Sequence, residues 1–230
     1  MSTLTITPTS EISIQQLIHS PKLPFYVREF RSLLEEEQKK RERFYREMRE
    51  DQKVEFINGK VIMQSPVKLR HSDVSERLFI LLSTYVKKHK LGKVGHEKLL
   101  ITLTRNDYEP DICFFRADRA AAFRPDQMKF PAPDFVVEVL SPSTEAVDRE
   151  IKFDDYAAHG VAEYWIIDPD RETVEQYILK GSGGRATYEL SVKVKAGNIE
   201  SAAVEGFDIP VRAIFDDRQQ LAALARVLEA

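Results

Sequence analysis

Three ionisable side chains near the middle of the chain invite a chemical reading: Asp111, Glu138 and Lys152. Glu138 interrupts the apolar run Phe135-Val136-Val137, Val139-Leu140, which reads as a strand buried on both faces. An ionised carboxylate in such a place is costly unless a cation or a set of donors faces it. Asp111 follows Pro110 at the head of "DICFF", another strand-like run. Lys152 stands in "DREIK" on the predicted helix that follows Glu138. Val147 and Ile151, four apart, mark the side of that helix facing the sheet. The lysine, one step round, is expected at the rim of that side, leaning toward the strand ends. Two carboxylates and a lysine at the end of a sheet suit metal-assisted phosphodiester hydrolysis. Hard oxygen ligands hold Mg²⁺, the metal neutralises phosphate charge and acidifies bound water, and the lysine steadies water or phosphate. The same spacing also accommodates a buried Glu138–Lys152 ion pair that does no chemistry.

The elements that must position these groups can be read from periodicity. "KVEFINGKVIMQS" is a hairpin about Asn58-Gly59, a pair that tolerates positive φ. In "RHSDVSERLFILLSTYVKKHK", Val74, Leu78, Leu81, Leu82 and Tyr85 recur at helical spacing, predicting an amphipathic helix on a sheet. "LLITLT", "DICFF", the Glu138 run, "EYWIIDP", "TVEQYIL" and "YELSVKV" read as strands. Between the Glu138 strand and "EYWIIDP", one helix is expected from Ser143 or Thr144, either of which can cap it, to about His159, with Gly160 as its stop. This order predicts an α/β fold, a mixed sheet with helices on its faces. Upstream, the stretch to about Ser20 reads as a loosely attached arm. Phe25 to Asp51 reads as a charged helix, with Glu36 and Lys40, and Glu42 and Arg46, spaced four apart.

"EPDICFF", "PDFVVEVLSPS" and "DREIKFDDYAAHGVAEYWIIDP", with "VEFINGKVIMQSP" and "RH" upstream, closely resemble the Uma-type family of restriction endonucleases, a branch of the PD-(D/E)XK nuclease superfamily. The resemblance runs from about Val54 to Leu179. It implies the restriction-endonuclease-like fold, a central mixed β-sheet flanked by helices, here over residues 52–230, with residues 1–51 as an N-terminal helical arm. It also implies a metal-dependent endonuclease acting on DNA, with Mg²⁺ as cofactor and Mn²⁺ as substitute. Pro110-Asp111 matches the "PD" and Glu138 the (D/E). The lysine expected two residues after the acid is replaced by Leu140, and Lys152 on the next helix matches the lysine of this branch. Asp111 and Glu138 would bind the metal, while Glu55 and His71 would support the site as an outer ligand and a phosphate or water contact. Rival expectations are a non-catalytic module that keeps the fold and binds nucleic acid or protein, and hydrolysis of another phosphoester by the same site.

The other candidates read more simply. Asp134 is expected as a loop carboxylate, Asp148 as a helical partner of Lys152, and Cys113, Tyr164 and Trp165 as core. The "KKHK" run with Lys93 and Lys98 is expected to be solvated or to touch phosphates. The 230 residues are 43% hydrophobic and 31% charged, with net charge −3, so no global basic surplus points to a general DNA-coating protein. A single cysteine excludes an intramolecular disulfide and suits a reducing compartment. With no run apolar enough for a bilayer and no secretory leader pattern, the expected location is the cytoplasm, away from membranes. The charged helix suggests a homo-oligomer such as a dimer, by analogy with nucleases that pair two sites.

Overall fold

The computed structural model describes residues 14–49 and 51–229, so most of the expected N-terminal arm, residues 1–13, lies outside the described residues. The chain divides into two compact units, Met1–Glu47 and Met48–Ala230. The first contains α1 (Ile14–Ile18) and α2 (Leu23–Glu47), so the charged helix ends four residues earlier than its sequence suggests. Ile14 is exposed on α1, and Phe25, Phe30, Leu33 and Leu34 are exposed along α2.

The second unit opens with the hairpin β1 (Val54–Ile57) and β2 (Lys60–Met63). Its turn has Asn58 at φ 49° and Gly59 at φ 76°, the left-handed pair that this hairpin type requires. α3 (Leu69–His89) follows, with Val74, Leu78, Leu81 and Leu82 buried as their spacing demands. Next come β3 (Gly92–His96), β4 (Leu100–Thr102), β5 (Asp107–Tyr108) and β6 (Ile112–Arg116). Gly92, at φ 154°, packs so tightly on β6 that a Cβ would come within 2.0 Å of the Phe115 carbonyl oxygen. A short α4 (Ala117–Ala120) and β7 (Lys129–Phe130) lead to β8 (Phe135–Val139), which carries Glu138.

The expected single helix after β8 is two: α5 (Glu145–Arg149) and α6 (Ile151–Ala158). The backbone breaks at Glu150, with φ −118° and ψ −76°. Nor does a hydroxyl cap it by bonding the first-turn amides. Thr144 occupies the cap position without such a bond, and its hydroxyl lies 3.0 Å from Ser141 Oγ. Gly160, at φ 78°, does end the segment. β9 (Glu163–Asp168), β10 (Thr173–Lys180) and β11 (Thr187–Val194) complete the main sheet, and β12 (Asn198–Glu200), β13 (Asp208–Pro210) and α7 (Asp217–Glu229) close the chain.

Six strands form a mixed sheet in the order β11-β10-β9-β8-β6-β3, in which β8 and β9 are parallel and the other pairs antiparallel. The α5–α6 segment is the crossover that a parallel pair requires. A second, five-stranded sheet has the order β2-β1-β5-β4-β7, and β12 and β13 pair separately. One core cluster joins Phe135, Val137 and Val139 to α3 and to Trp165. The other joins Val136 and Leu140, on the opposite face, to Tyr156, Ala157 and Tyr164. Tyr108 of the five-stranded sheet reaches this second cluster, with its ring 5.3 Å from that of Tyr156, so α6 is packed between the sheets.

Candidate active site

Strand register brings the two acids together. β6 pairs antiparallel with β8 as Phe114↔Phe135, Cys113↔Val136 and Ile112↔Val137. One further step sets Asp111 opposite Glu138 on the face that also carries Cys113 and Val136. The Val139 amide fixes the Asp111 side chain, donating to Oδ2 at 2.9 Å. Asp111 and Glu138 then line one cleft of about 210 Å³ with His71, Ser141, Asp148 and Lys152.

Lys152 is not at the rim that helical spacing suggests. The break at Glu150 turns α6 inward, and the side chain is 2% exposed. Its ammonium lies 3.0 Å from Glu138 Oε1, 3.0 Å from Glu55 Oε1 and 3.1 Å from Asp148 Oδ1. Burial alone would lower its pKa, but these three carboxylates outweigh burial and hold it well above the usual lysine range. Burial pushes the Glu138 carboxyl well above its ordinary range, and repulsion from Asp148, Asp111 and Glu55 adds to what Lys152 only partly offsets. The Tyr156 hydroxyl donates to the same Glu138 oxygen at 3.3 Å.

Glu55 is committed to protein donors at both oxygens. Oε1 accepts from the Glu109 amide at 3.0 Å as well as facing Lys152, and Oε2 accepts from Gln64 at 3.0 Å. It therefore anchors Lys152 from the hairpin. His71, at the start of α3, places Nε2 3.3 Å from Asp111 Oδ2, and its buried Nδ1 has no protein partner.

Lys53 escaped the sequence reading. Its ammonium is 2.8 Å from Asp111 Oδ1. Burial opposes the ionised form of Asp111, yet Lys53 and the His71 hydrogen bond outweigh it and keep the carboxyl well below the usual range. Period-two alternation offered the signal, since Lys53 and Glu55 share a face of the first hairpin strand. Of the remaining candidates, Asp134 lies away from the cleft, buried and paired with Arg119 at 3.0 Å. The "KKHK" run does local work: the Lys88 ammonium donates to the Val227 carbonyl at 3.0 Å, near the end of α7. Cys113 is a buried core residue.

Among the described residues, no three His, Cys, Asp or Glu side chains converge as a ready-made cation cage. The donor chemistry nevertheless fits a hard divalent ion. Glu55, Asp111, Glu138 and Asp148 gather four carboxyl groups around the ammonium groups of Lys53 and Lys152, a set of hard oxygen donors. Asp111 and Glu138 are the pair that would hold it. Lys53, whose side chain is 21% exposed, is the group it would displace.

The family model described as "Putative restriction endonuclease" (Uma2) matches residues 40–212. The chain belongs to the Uma2 family. A protein of Synechocystis sp. (strain ATCC 27184 / PCC 6803 / Kazusa), described as "Uncharacterized protein slr1290", is 30% identical over 156 residues, 66% of this chain and 73% of that protein. A crystal structure described as a "putative nuclease belonging to DUF820 from Anabaena variabilis ATCC 29413" has a TM-score of 0.63 at 20% identity, over 79% of this chain and 96% of that one. The likeness establishes a shared fold. The Uma2 match extends beyond the Val54–Leu179 stretch, into the end of α2 and past β13. Mixed sheets flanked by helices, as the resemblance implied, are the architecture observed. No helix among the described residues is long and apolar enough to cross a membrane.

Proposed function

We propose that this Uma2 protein is a divalent-cation-dependent endonuclease that hydrolyses phosphodiester bonds of DNA, with Mg²⁺ as cofactor and Mn²⁺ able to replace it. The observation that carries this reading is the convergence of Asp111, Glu138 and Lys152 on one cleft. When bound, the cation supplies charge neutralisation for the phosphate and a more acidic water. Asp111 and Glu138 would hold it, while Lys152, 3.0 Å from Glu138 Oε1, orients that oxygen and supplies a positive charge to the cleft. His71 offers its unpartnered Nδ1 to water or phosphate. Lys53, now paired with Asp111, would be available to a substrate phosphate if a cation took its place. The buried single thiol suits a reducing cytoplasm.

Incubation with plasmid, linear and single-stranded DNA in Mg²⁺, Mn²⁺ or EDTA tests the proposal. Cleavage is expected only with metal. Asp111→Asn is expected to lose more than the roughly 10–100-fold that even an outer-shell partner of a metal costs. Cleavage unaffected by EDTA or by Asp111→Asn would sink the assignment. A second reading draws on the two lysines that already pair with Asp111 and Glu138. With Asp111 and Glu138 each paired to a lysine of the chain, the same fold could serve as a nucleic-acid- or protein-binding module. Metal-indifferent DNA binding without cleavage of any substrate would favour that alternative.

A further inference from the structure

Beside the cleft lies a second cavity of about 400 Å³, whose lining includes Leu100, Met128 and Phe130 together with Glu109, Gln52 and Lys98. A depression lined by Gln52, Lys53, His71, Lys98 and Asp111 joins this chamber to the candidate active site. Three features distinguish it from a packing defect. Phe130 has its ring edge-on to Phe123 at 5.2 Å, so one side of the aromatic group is held in place while the residue still lines the chamber. Met128, an apolar side chain in the lining, is 54% exposed. Glu109, 8% exposed, has one carboxylate oxygen held by the Val54 amide at 2.9 Å and still borders the cavity.

We propose that this chamber receives one nucleobase of the substrate strand, beside the cleft that contains Asp111 and Glu138, and that Glu109 reads its amino-bearing edge. The ligand's identity rests on the nuclease reading above. The chemistry is complementary throughout. An aromatic ring and a thioether offer a flat base its stacking surface, a buried carboxylate accepts from exocyclic amines such as cytosine N4, and Lys53 and Lys98 border the connecting path that phosphates would follow. Space for one planar heterocycle, rather than a duplex, implies a base taken out of its stack or a single-stranded substrate.

Ligand-observed NMR with the four deoxynucleoside 5′-monophosphates, in EDTA, tests the chamber without requiring cleavage. Wild type is expected to favour bases with an amino group by about tenfold over thymine. Glu109→Gln should flatten that preference, and Met128→Trp, at an exposed position, should fill the chamber and abolish binding. Equal binding of all four nucleotides, competition by ribose 5-phosphate with equal strength, or binding unchanged by Met128→Trp would overturn the proposal. A protein that cuts plasmid yet shows no base preference loses the chamber alone. One that discriminates bases yet never cuts loses the catalytic reading alone.

Discussion

Glu138 and Glu163 are both buried carboxylates, stabilised in opposite ways. Glu163 accepts from Trp165 Nε1, Gln176 Nε2 and Ser201 Oγ, each at 2.6 Å, and from the Ala203 amide at 2.8 Å. Its charge is spread over neutral donors, as suits a structural group. Glu138 instead leans on a buried ammonium that two other acids share. Lys152→Met would leave those three carboxylates facing one another in a dry site. In EDTA it should cost about 3–5 kcal/mol, the range for breaking a buried pair. If a cation binds at Asp111 and Glu138, Mg²⁺ should restore part of that loss. Thermal midpoints with and without Mg²⁺ decide it, and a midpoint equal to wild type in EDTA would mean Lys152 does not bear the charge of the site. Asp111, Glu138 and Lys152 were legible because each stands out against an apolar or helical pattern. Lys53 was not: its side of the hairpin can be read from alternation, but its contact with Asp111 depends on how two sheets meet.

At the scale of elements, strands and the hairpin turn follow from local pattern, whereas the α5–α6 break does not. "TEAVDREIKFDDYAAHG" has no proline or glycine before Gly160, and the kink at Glu150 sets Lys152 inward among acids from β1, β8 and α5. The same tertiary demand ties β1 to the segment between β5 and β6 through Glu109 and the Val54 amide. Burial pushes the Glu109 carboxyl up from an ordinary value of 4.5 to about 7, against the Val54 hydrogen bond and the charge of Lys53. Folding therefore binds this proton more tightly than the unfolded chain does. The resulting stability is present below pH 4.5 and is lost as pH rises toward about 7. Glu109→Gln keeps an acceptor for the Val54 amide without that loss. In EDTA, the wild-type midpoint should fall relative to the variant across this window; a constant difference would refute the linkage. The closing elements were simply not read. Asp216, whose Oδ1 accepts from the Gln219 amide at 2.9 Å, gives α7 a start signal that was present in "DDRQQLAALARVLEA".

The whole molecule comprises two units, and the first carries exposed apolar side chains. Phe30, Leu33 and Leu34 recur at helical spacing, which suits a second copy of the same helix. Light scattering should find a homodimer that Leu34→Glu dissociates. A chain beginning at Met48 should be monomeric and melt cooperatively. A truncated chain that melts without cooperativity would place the helix within the core, and a monomeric wild type would remove the dimer.

The crossover between β8 and β9 also sets an order in time. Glu55, Asp111, Glu138 and Asp148 all precede Lys152 in the chain. A ribosome therefore makes every acid of the cleft before the ammonium that three of them share. Until α6 docks, those acids lack the ammonium that three of them share in the folded protein. When Lys152 emerges, β9, β10, β11 and α7 are still to be made, so the counter-charge of the cleft is in place before the sheet that surrounds it is complete.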